Sequence, residues 1–488
     1  MHRITSATAA DLFDIAATRR IEQAAASALP HHALMQRAGL AVARLAMALA
    51  PHARTIWVAC GPGNNGGDGF EAAAQLRHRG VFPVVTFLGD EGRLPPDTRA
   101  SLQRARDAGV DFAPAPPSSH DLAIDALLGI GSSRPPEGTM AEWLARMHAG
   151  AQPVLSVDVP SGLNADTGAL PWAAVHAQAS TRACISFLTL KPGLFTAQGR
   201  DAAGTVWFDD LGCSAFAKEA PSARIAGTPA VHPRAHASHK GSYGDVAVIG
   251  GAPGMAGAAL LAGSAALHAG AGRVFVGLLD PSAAPVDASQ PELMLRDART
   301  LDLSGMTAVC GCGGGDAVRE LLPRVLSTAA ALVLDADALN AIAADTALQA
   351  QLLSRGKSGM PTVLTPHPLE AARLLGCTAG DVQDDRLAAA RQLASRFCAV
   401  AVLKGSGTVI AGTGNETPVV NLSGNARLAT AGTGDVLAGM VGAAMALRRP
   451  AFDAACDAVW QHGHIADTWP AGAPPLTAAA LARRAPAC

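Results

Sequence analysis

The chain has 488 residues, which at roughly 100–200 residues per domain gives room for two to four domains with real cores and excludes a single small module. Lys and Arg number 38 against 40 Asp and Glu, a formal charge of −2, so no global field draws the protein to nucleic acid or an anionic membrane. Hydrophobic residues make up 49% and charged ones 16%, yet apolar stretches such as 257–266 and 436–447 are small-residue runs, short of the roughly 18–20 residues a spanning helix needs.

Taken in chain order, residues 1–30 carry Asp11, Asp14 and Glu22 among their apolar positions. That fits neither a signal nor a transit peptide, and a cytoplasmic location is expected. Short apolar runs then alternate with longer helical stretches, at 55–60, 81–88, 122–127, 154–157, 245–249, 273–278, 332–335 and 400–403. This is the rhythm of parallel α/β architecture. It breaks between 208 and 239, where Ala, Pro, Ser and His replace any periodicity, so two domains are expected, 1–220 and 221–488. Nine cysteines lack paired spacing and predict buried thiols rather than a zinc site or disulfides.

In open α/β sheets ligands bind at the carboxyl ends of the strands, so the segments that follow them carry the chemistry. After 55–60 comes Gly61-Pro-Gly-Asn-Asn-Gly-Gly-Asp-Gly69, then a helical stretch from about 70 to 79. Gly61, Gly63 and Gly66 formally satisfy a dinucleotide fingerprint, with Asp90 at about the distance of a ribose partner. A diphosphate wants bare N–H groups, however, and Asn64, Asn65 and Asp68 crowd this turn. Such a loop suits a ligand rich in hydroxyl and amide groups, or a cation; a tight turn capped by Asp68 is the plainer alternative. Two later strand ends place Asp125 before Gly129-Ile-Gly131, and Asp158 before Pro160-Ser161-Gly162. Oxygens of Asn65, Asp125 and Ser161 make a hard-oxygen cation site, and so few carboxylates favour a weakly charged ion over magnesium. Asp158 is left as a spare carboxylate for proton transfer.

Residues 55–69, 124–131 and 154–168, with Leu34-Met-Gln-Arg-Ala-Gly39 and Leu190-Lys-Pro-Gly-Leu194, closely resemble the N-terminal epimerase half of the bifunctional NAD(P)HX repair enzymes. The resemblance implies a Rossmann-like three-layer α/β/α domain that interconverts the R and S forms of the hydrated nicotinamide cofactor. It implies that Asn64, Asn65, Gly66, Gly67 and Asp68 hold the hydrate together with Gly129, Ile130, Gly131, Ser132, Ser133, Arg134 and Pro135. It further implies that Asn65, Asp125 and Ser161 bind potassium and that catalytic Asp158 touches the reacting ring. Gln36 stands where that family usually has Glu.

In the second half, His239-Lys-Gly-Ser-Tyr-Gly244 leads into a strand and the turn Gly250-Gly-Ala-Pro-Gly-Met-Ala-Gly-Ala258. Glycine there permits either close ligand approach or tight helix packing. Leu403-Lys404-Gly-Ser-Gly-Thr408 offers a cation, hydroxyls and bare N–H groups to phosphate, while Thr430-Ala-Gly-Thr-Gly-Asp435 opens a helix with a carboxylate among backbone donors. Asp435 reads either as a base beside an anion hole or as an ordinary N-cap. No P-loop signature is present, which excludes that class of NTPase.

This set resembles the ribokinase-like α/β fold. With 239–272 and Leu364-Thr-Pro-His367-Pro-Leu-Glu370 it looks more narrowly like the ADP-dependent NAD(P)HX dehydratase. By that likeness Lys404, Gly405, Ser406, Gly407, Thr408 and Gly434 bind the adenine nucleotide, with magnesium bridging its phosphates. Ala258, Gly313, His367 and catalytic Asp435 line the hydrate site. Cys310-Gly-Cys-Gly-Gly-Gly315 stands where the family usually reads Gly-Pro-Gly-Leu-Gly. The implied activity is repair: epimerisation of NADHX and NADPHX and dehydration of the S form with ADP, giving AMP and phosphate. The expected partners are NADHX, NADPHX, ADP, AMP and further copies of the chain, with no nucleic acid and no membrane. Two other readings stay open here: a ribokinase-like kinase of a vitamin precursor with an accessory ligand-binding domain, and a cofactor-sensing protein whose first half binds without catalysis.

Overall fold

A computed structural model describes residues 1–131, 135–170, 181–214, 218–230 and 233–486. The chain separates into two compact units, one of residues 1–5 and 10–223, the other of 6–9 and 224–488.

The first unit is built on an eight-stranded sheet. Its order is His2–Arg3, Thr205–Asp209, Arg182–Phe187, Val154–Val157, Leu122–Ala126, Thr55–Cys60, Phe82–Phe87 and Asp111–Phe112, all parallel except at the His2–Arg3 edge. From Thr55–Cys60 the chain first fills one side of the sheet and then, from Leu122–Ala126, the other. The switch point therefore lies where residues 61–68 and 127–131 leave adjacent strands, the place an open α/β sheet offers a crevice. Both faces are covered, so central strands such as Thr55–Cys60 and Leu122–Ala126 are almost wholly buried and read as continuous apolar runs. Trp57 is fully buried, with its indole N–H donated to Thr86 Oγ1 at 2.8 Å.

One expected boundary moves. The helix begins at Asn64, with Gly63 as N-cap, and runs to His78, so the Asn-Asn-Gly-Gly-Asp run forms its opening turns. Poor helix formers are helical here because packing overrides propensity. A Cβ on Gly66 would lie 1.9 Å from Gly61 O, and one on Gly69 2.8 Å from Cys60 Sγ, so glycine is what lets the first turns press against the strand they follow. Asp68, on the fifth residue of the helix, is not its cap.

The second unit's sheet runs Met294–Leu295, Arg273–Leu278, Asp245–Gly250, Thr307–Cys310, Ala331–Leu334, Thr362–Leu364, Val400–Leu403, Val409–Ala411, Val419–Val420 and Ala223–Ala226. It is parallel except where Val409–Ala411 pairs with its neighbours. Its switch point falls between Asp245–Gly250 and Thr307–Cys310, and the two departing loops are stitched together by Gly251 N–H to Cys312 O at 3.0 Å and Ala252 N–H to Gly313 O at 2.7 Å. Small residues set the core: a Cβ on Gly439 of the helix Thr433–Ala446 would meet Ala262 O at 2.1 Å. Helices packed that closely account for a sequence rich in apolar residues yet only 4% aromatic. Among the described residues no helix is long and apolar enough to cross a membrane.

Candidate active sites

At the first switch point lies a cavity of about 820 Å³. Asn64, Asn65 and Asp68 line it from the first turns of their helix, Gly129, Ile130 and Gly131 from the opposite loop, and Asp158 from the end of Val154–Val157. Gly66, Gly67 and Pro135 are not among its lining residues; Gly66 and Gly67 instead allow the helix to approach Gly61 and Met35. Ser132, Ser133 and Arg134 lie outside the described residues. Asp90 caps the short helix Glu91–Arg93 and does not reach the cavity, so the dinucleotide-fingerprint reading loses its ribose partner.

Asp158 sits in a left-handed backbone conformation, φ 63°, which costs a non-glycine residue about 1–2 kcal/mol. Its carboxylate accepts from Lys191 Nζ at 2.5 Å and from Phe187 N at 3.1 Å. Lys191 is 1% exposed and also donates to Ser186 Oγ and Phe187 O. These contacts fix the rotamer of Asp158. Around it stand two further carboxyls. Burial, then Asp158, pushes Asp68 well above the usual carboxylate range, and the same two causes raise Glu22. Lys191 and Glu22 were not singled out from the sequence; the lysine lies in the Leu-Lys-Pro-Gly-Leu segment, where its burial has no local signal.

Beneath the cavity Asp125, Ser161 and Asn65 are brought together and buried. Asp125 accepts from Ser161 Oγ at 2.5 Å, Ser161 N at 2.9 Å and Leu127 N at 3.3 Å. Asn65 donates to Leu128 O at 3.0 Å, the carbonyl that Ser161 Oγ also approaches. Among the described residues Asp125's contacts are with neutral donors, and burial raises its carboxyl in spite of them.

The second switch point gathers Cys312, Asp335 and Asp435, whose ligating atoms lie within 4.8 Å of one another. Lys404 Nζ donates to Asp335 Oδ1 at 2.7 Å, and Thr365 Oγ1 donates to the same oxygen at 2.8 Å. Asp435 is on the third residue of the helix Thr433–Ala446, whose N-cap is Gly432 at φ 88°; it is therefore not the cap. Burial, then Asp335, pushes Asp435 up to about 6, against the opposing pull of Cys312 and Lys404. A Cβ on Gly434 would lie 3.4 Å from Lys404 Nζ, which puts the ammonium over the helix start. Asp335 went unassigned in the sequence, although it ends a strand as Asp125 does.

Ala258 and Gly313 are side by side, since a Cβ on Gly313 would come 2.9 Å from Ala258 Cβ. Lys404, Gly405, Ser406, Gly407 and Thr408 form the turn between Val400–Leu403 and Val409–Ala411. His367 caps the helix Pro368–Leu375: Nδ1 accepts from Leu369 N and Glu370 N, and Nε2 lies 3.2 Å from Glu370 Oε1. With both nitrogens engaged and the ring half-exposed, His367 can offer a ligand its ring face. The Cys310–Gly315 loop is pinned by Gly311 N–H to Ile249 O and by Gly315 N–H to Asp337 Oδ2.

Comparison with known proteins gives each half a family. Residues 31–193 match the family described as YjeF-related protein N-terminus, and residues 246–486 match NAD(P)H-hydrate dehydratase. The bifunctional NAD(P)H-hydrate repair enzyme Nnr of Escherichia coli K12 is 37% identical over 468 residues, covering 92% of this chain and 88% of that protein. The ADP-dependent (S)-NAD(P)H-hydrate dehydratase of Neisseria meningitidis is 46% identical over 241 residues, 48% of this chain and 80% of its own. Among solved structures, the ADP/ATP-dependent NAD(P)H-hydrate dehydratase of Bacillus subtilis, co-crystallised with ATP and Mg²⁺, is 30% identical over 52% of this chain and 91% of its own, with a TM-score of 0.43. Matched in both halves and along nearly its whole length, the chain belongs to the bifunctional NAD(P)H-hydrate repair enzymes.

Proposed function

We propose that residues 1–220 epimerise R and S NAD(P)HX and that 221–488 dehydrate the S form to NAD(P)H with ADP, releasing AMP and phosphate. The observation that carries this reading is the pair of switch-point sites, each with a lysine–aspartate ion pair and a second carboxyl raised by burial. Hydroxide leaves poorly from a saturated ring carbon near neutral pH, and the two sites solve this differently.

In the first unit, Asp68 with its raised carboxyl donates a proton to the departing hydroxyl, and Asp158, oriented by Lys191, accepts one from the water that returns on the other face. Asn64 and the backbone of 129–131 supply the polar rim of the hydrate pocket. Potassium fits Asn65, Asp125 and Ser161: a buried carboxylate met only by neutral dipoles is compensated by one monovalent charge. Bound there, it would neutralise Asp125 and stiffen the loop at 127–131.

In the second unit, Asp435 takes the proton of the substrate hydroxyl. That oxygen bonds to the β-phosphorus of ADP as the bridging P–O bond breaks and AMP leaves. Gly434 N–H and Lys404 stabilise the transferring phosphoryl group. Phosphate, a far better leaving group than hydroxide, then departs as its C–O bond breaks, and the neighbouring ring carbon gives up a proton to the departing phosphate, the C–H electron pair restoring the ring double bond. Asp335 would hold the magnesium that accompanies the nucleotide, and the ion would supply charge neutralisation on the phosphates. Ala258, Gly313 and His367 border the hydrate, and 404–408 the nucleotide.

The test is to incubate the purified chain with mixed R and S NADHX, with and without ADP, and to follow NADH recovery. Complete recovery that depends on ADP is expected. Recovery stopping at the S fraction would remove the epimerase assignment, and a stable phosphorylated product without NADH would point to a kinase.

A further inference from the structure

Behind the turn 404–408 lies a buried cation that none of the above uses. Arg386, the first residue of the helix Arg386–Phe397, is 1% exposed. One terminal nitrogen donates to Leu403 O at 3.0 Å and Lys404 O at 3.1 Å, and the other to Gln383 Oε1 at 2.6 Å. Its Nε is buried without a hydrogen-bond partner, and among the described residues no carboxylate pairs with it. Burying a charge without a counter-charge is costly, so a cation kept in this state needs a negative partner from outside the fold. The turn is shaped around it: Gly405 has φ +139°, and a Cβ there would come 3.0 Å from both terminal nitrogens of Arg386. A glycine in that conformation leaves only backbone between the guanidinium and whatever the turn binds.

Building on the placement of the adenine nucleotide at 404–408, we propose that Arg386 is a positioning residue for the nucleotide phosphates. It draws the carbonyls of Leu403 and Lys404 to the rear of the turn, so that the N–H groups of 405–408 face the ligand. The phosphates in turn supply the charge that the buried guanidinium lacks. Arg386 thus discriminates phosphorylated from unphosphorylated adenosine without touching either.

The test uses the full chain and compares ADP with adenosine by calorimetry. Arg386→Gln is expected to weaken ADP binding by about 10- to 100-fold, the scale of a lost charge-assisted contact, while adenosine binding and R/S epimerisation stay as in wild type. Arg386→Lys restores part of the ADP affinity. ADP affinity within two-fold of wild type in folded Arg386→Gln, or equal weakening of ADP and adenosine, overturns the proposal. Should Arg386→Gln not fold, Gln383→Ala, which lies outside the turn and frees the guanidinium from its side-chain acceptor, must show the same ADP-over-adenosine split, and its absence overturns the proposal equally. Hydrogen exchange of the wild-type turn with ADP separates the two layers. No protection of 404–408 removes the nucleotide placement and this inference with it. Protection there with unchanged ADP affinity in the variants removes the inference alone.

Discussion

Both units place a lysine–aspartate pair at a switch point, but the lysine chooses a different carboxylate in each. In the first, Lys191 binds Asp158, the residue proposed to act. In the second, Lys404 binds Asp335 and leaves Asp435 beside the pair, where burial and the Asp335 charge push it up to about 6. A directly paired carboxylate gains orientation; an unpaired one gains basicity near neutral pH. The difference matches the demands made on each. Asp158 must be aimed at a ring face from a strained backbone, whereas Asp435 must remove a proton from an alcohol as phosphoryl transfer begins.

The comparison breaks most sharply at Asp435. Asp435→Asn is expected to keep ADP binding yet lose ADP-dependent turnover of S-NADHX by roughly two to four orders of magnitude, the usual scale for removing a positioned base. Steady-state NADH formation from pure S hydrate measures this. Turnover within a few-fold of wild type would mean that the unpaired carboxylate is not the base.

Asp158→Asn tests the other half. R/S exchange should fall by at least about 100-fold, while ADP-dependent use of pure S hydrate stays intact, because the residues proposed for dehydration all lie in the second unit. Chromatographic separation of the epimers over time reads it out, and unchanged exchange would leave Asp158 only a structural role with Lys191.

How far these sites were legible in the sequence depends on what each residue's neighbours reveal. Strand-end acids followed by glycine announce themselves, so Asp125 and Asp158 could be picked out, while Asp435 showed as a carboxylate in a Gly-Thr-Gly turn that opens an apolar helix. The glycine run 61–69 looked like a loop because propensity is local, whereas the contact that makes it helical, Gly66 against Gly61 O, is tertiary. Lys191 and Asp335 were hidden for another reason. A lysine's role depends on the carboxylate it meets across the fold, 33 residues away for Asp158 and 69 for the Lys404–Asp335 pair, and neither spacing has a sequence signature. Cys312 lay in plain view within an unusual Cys-Gly-Cys run, but its place beside Asp435 follows from the stitching of the two switch-point loops.

A smaller effect should come from the ion. If Asp125 faces potassium, the wild-type first unit gains stability in potassium chloride over choline chloride, about 1.4 kcal/mol at an ion concentration ten times Kd. Asp125→Ala should abolish that increment and slow epimerisation, while magnesium affects only the ADP-dependent reaction. Differential scanning calorimetry in the two salts checks this, and an increment that survives in Asp125→Ala would place the ion elsewhere.

The smallest expected effect sharpens the comparison instead of breaking it. For wild type, kcat/KM for dehydration should rise with pH through a midpoint near the value of about 6 given by the surroundings of Asp435, since only the deprotonated carboxylate accepts the substrate proton; activity is lost below that midpoint and level above it. Four groups set its position: burial and the charges of Asp335 and Asp337 raise it, while Lys404 and the Cys312 thiol lower it. Removing the thiol in Cys312→Ala takes away a donor to the charged form, so the midpoint must move up, by a few tenths of a pH unit for a weak S–H donor. At a pH well above both midpoints the variant should match wild type, whereas near pH 6 it should lag. A pH–rate profile of kcat/KM decides it. A downward shift would mean that the thiol opposes the charged carboxylate, and equal loss of activity at every pH would mean that Cys312 packs the loop without addressing the base.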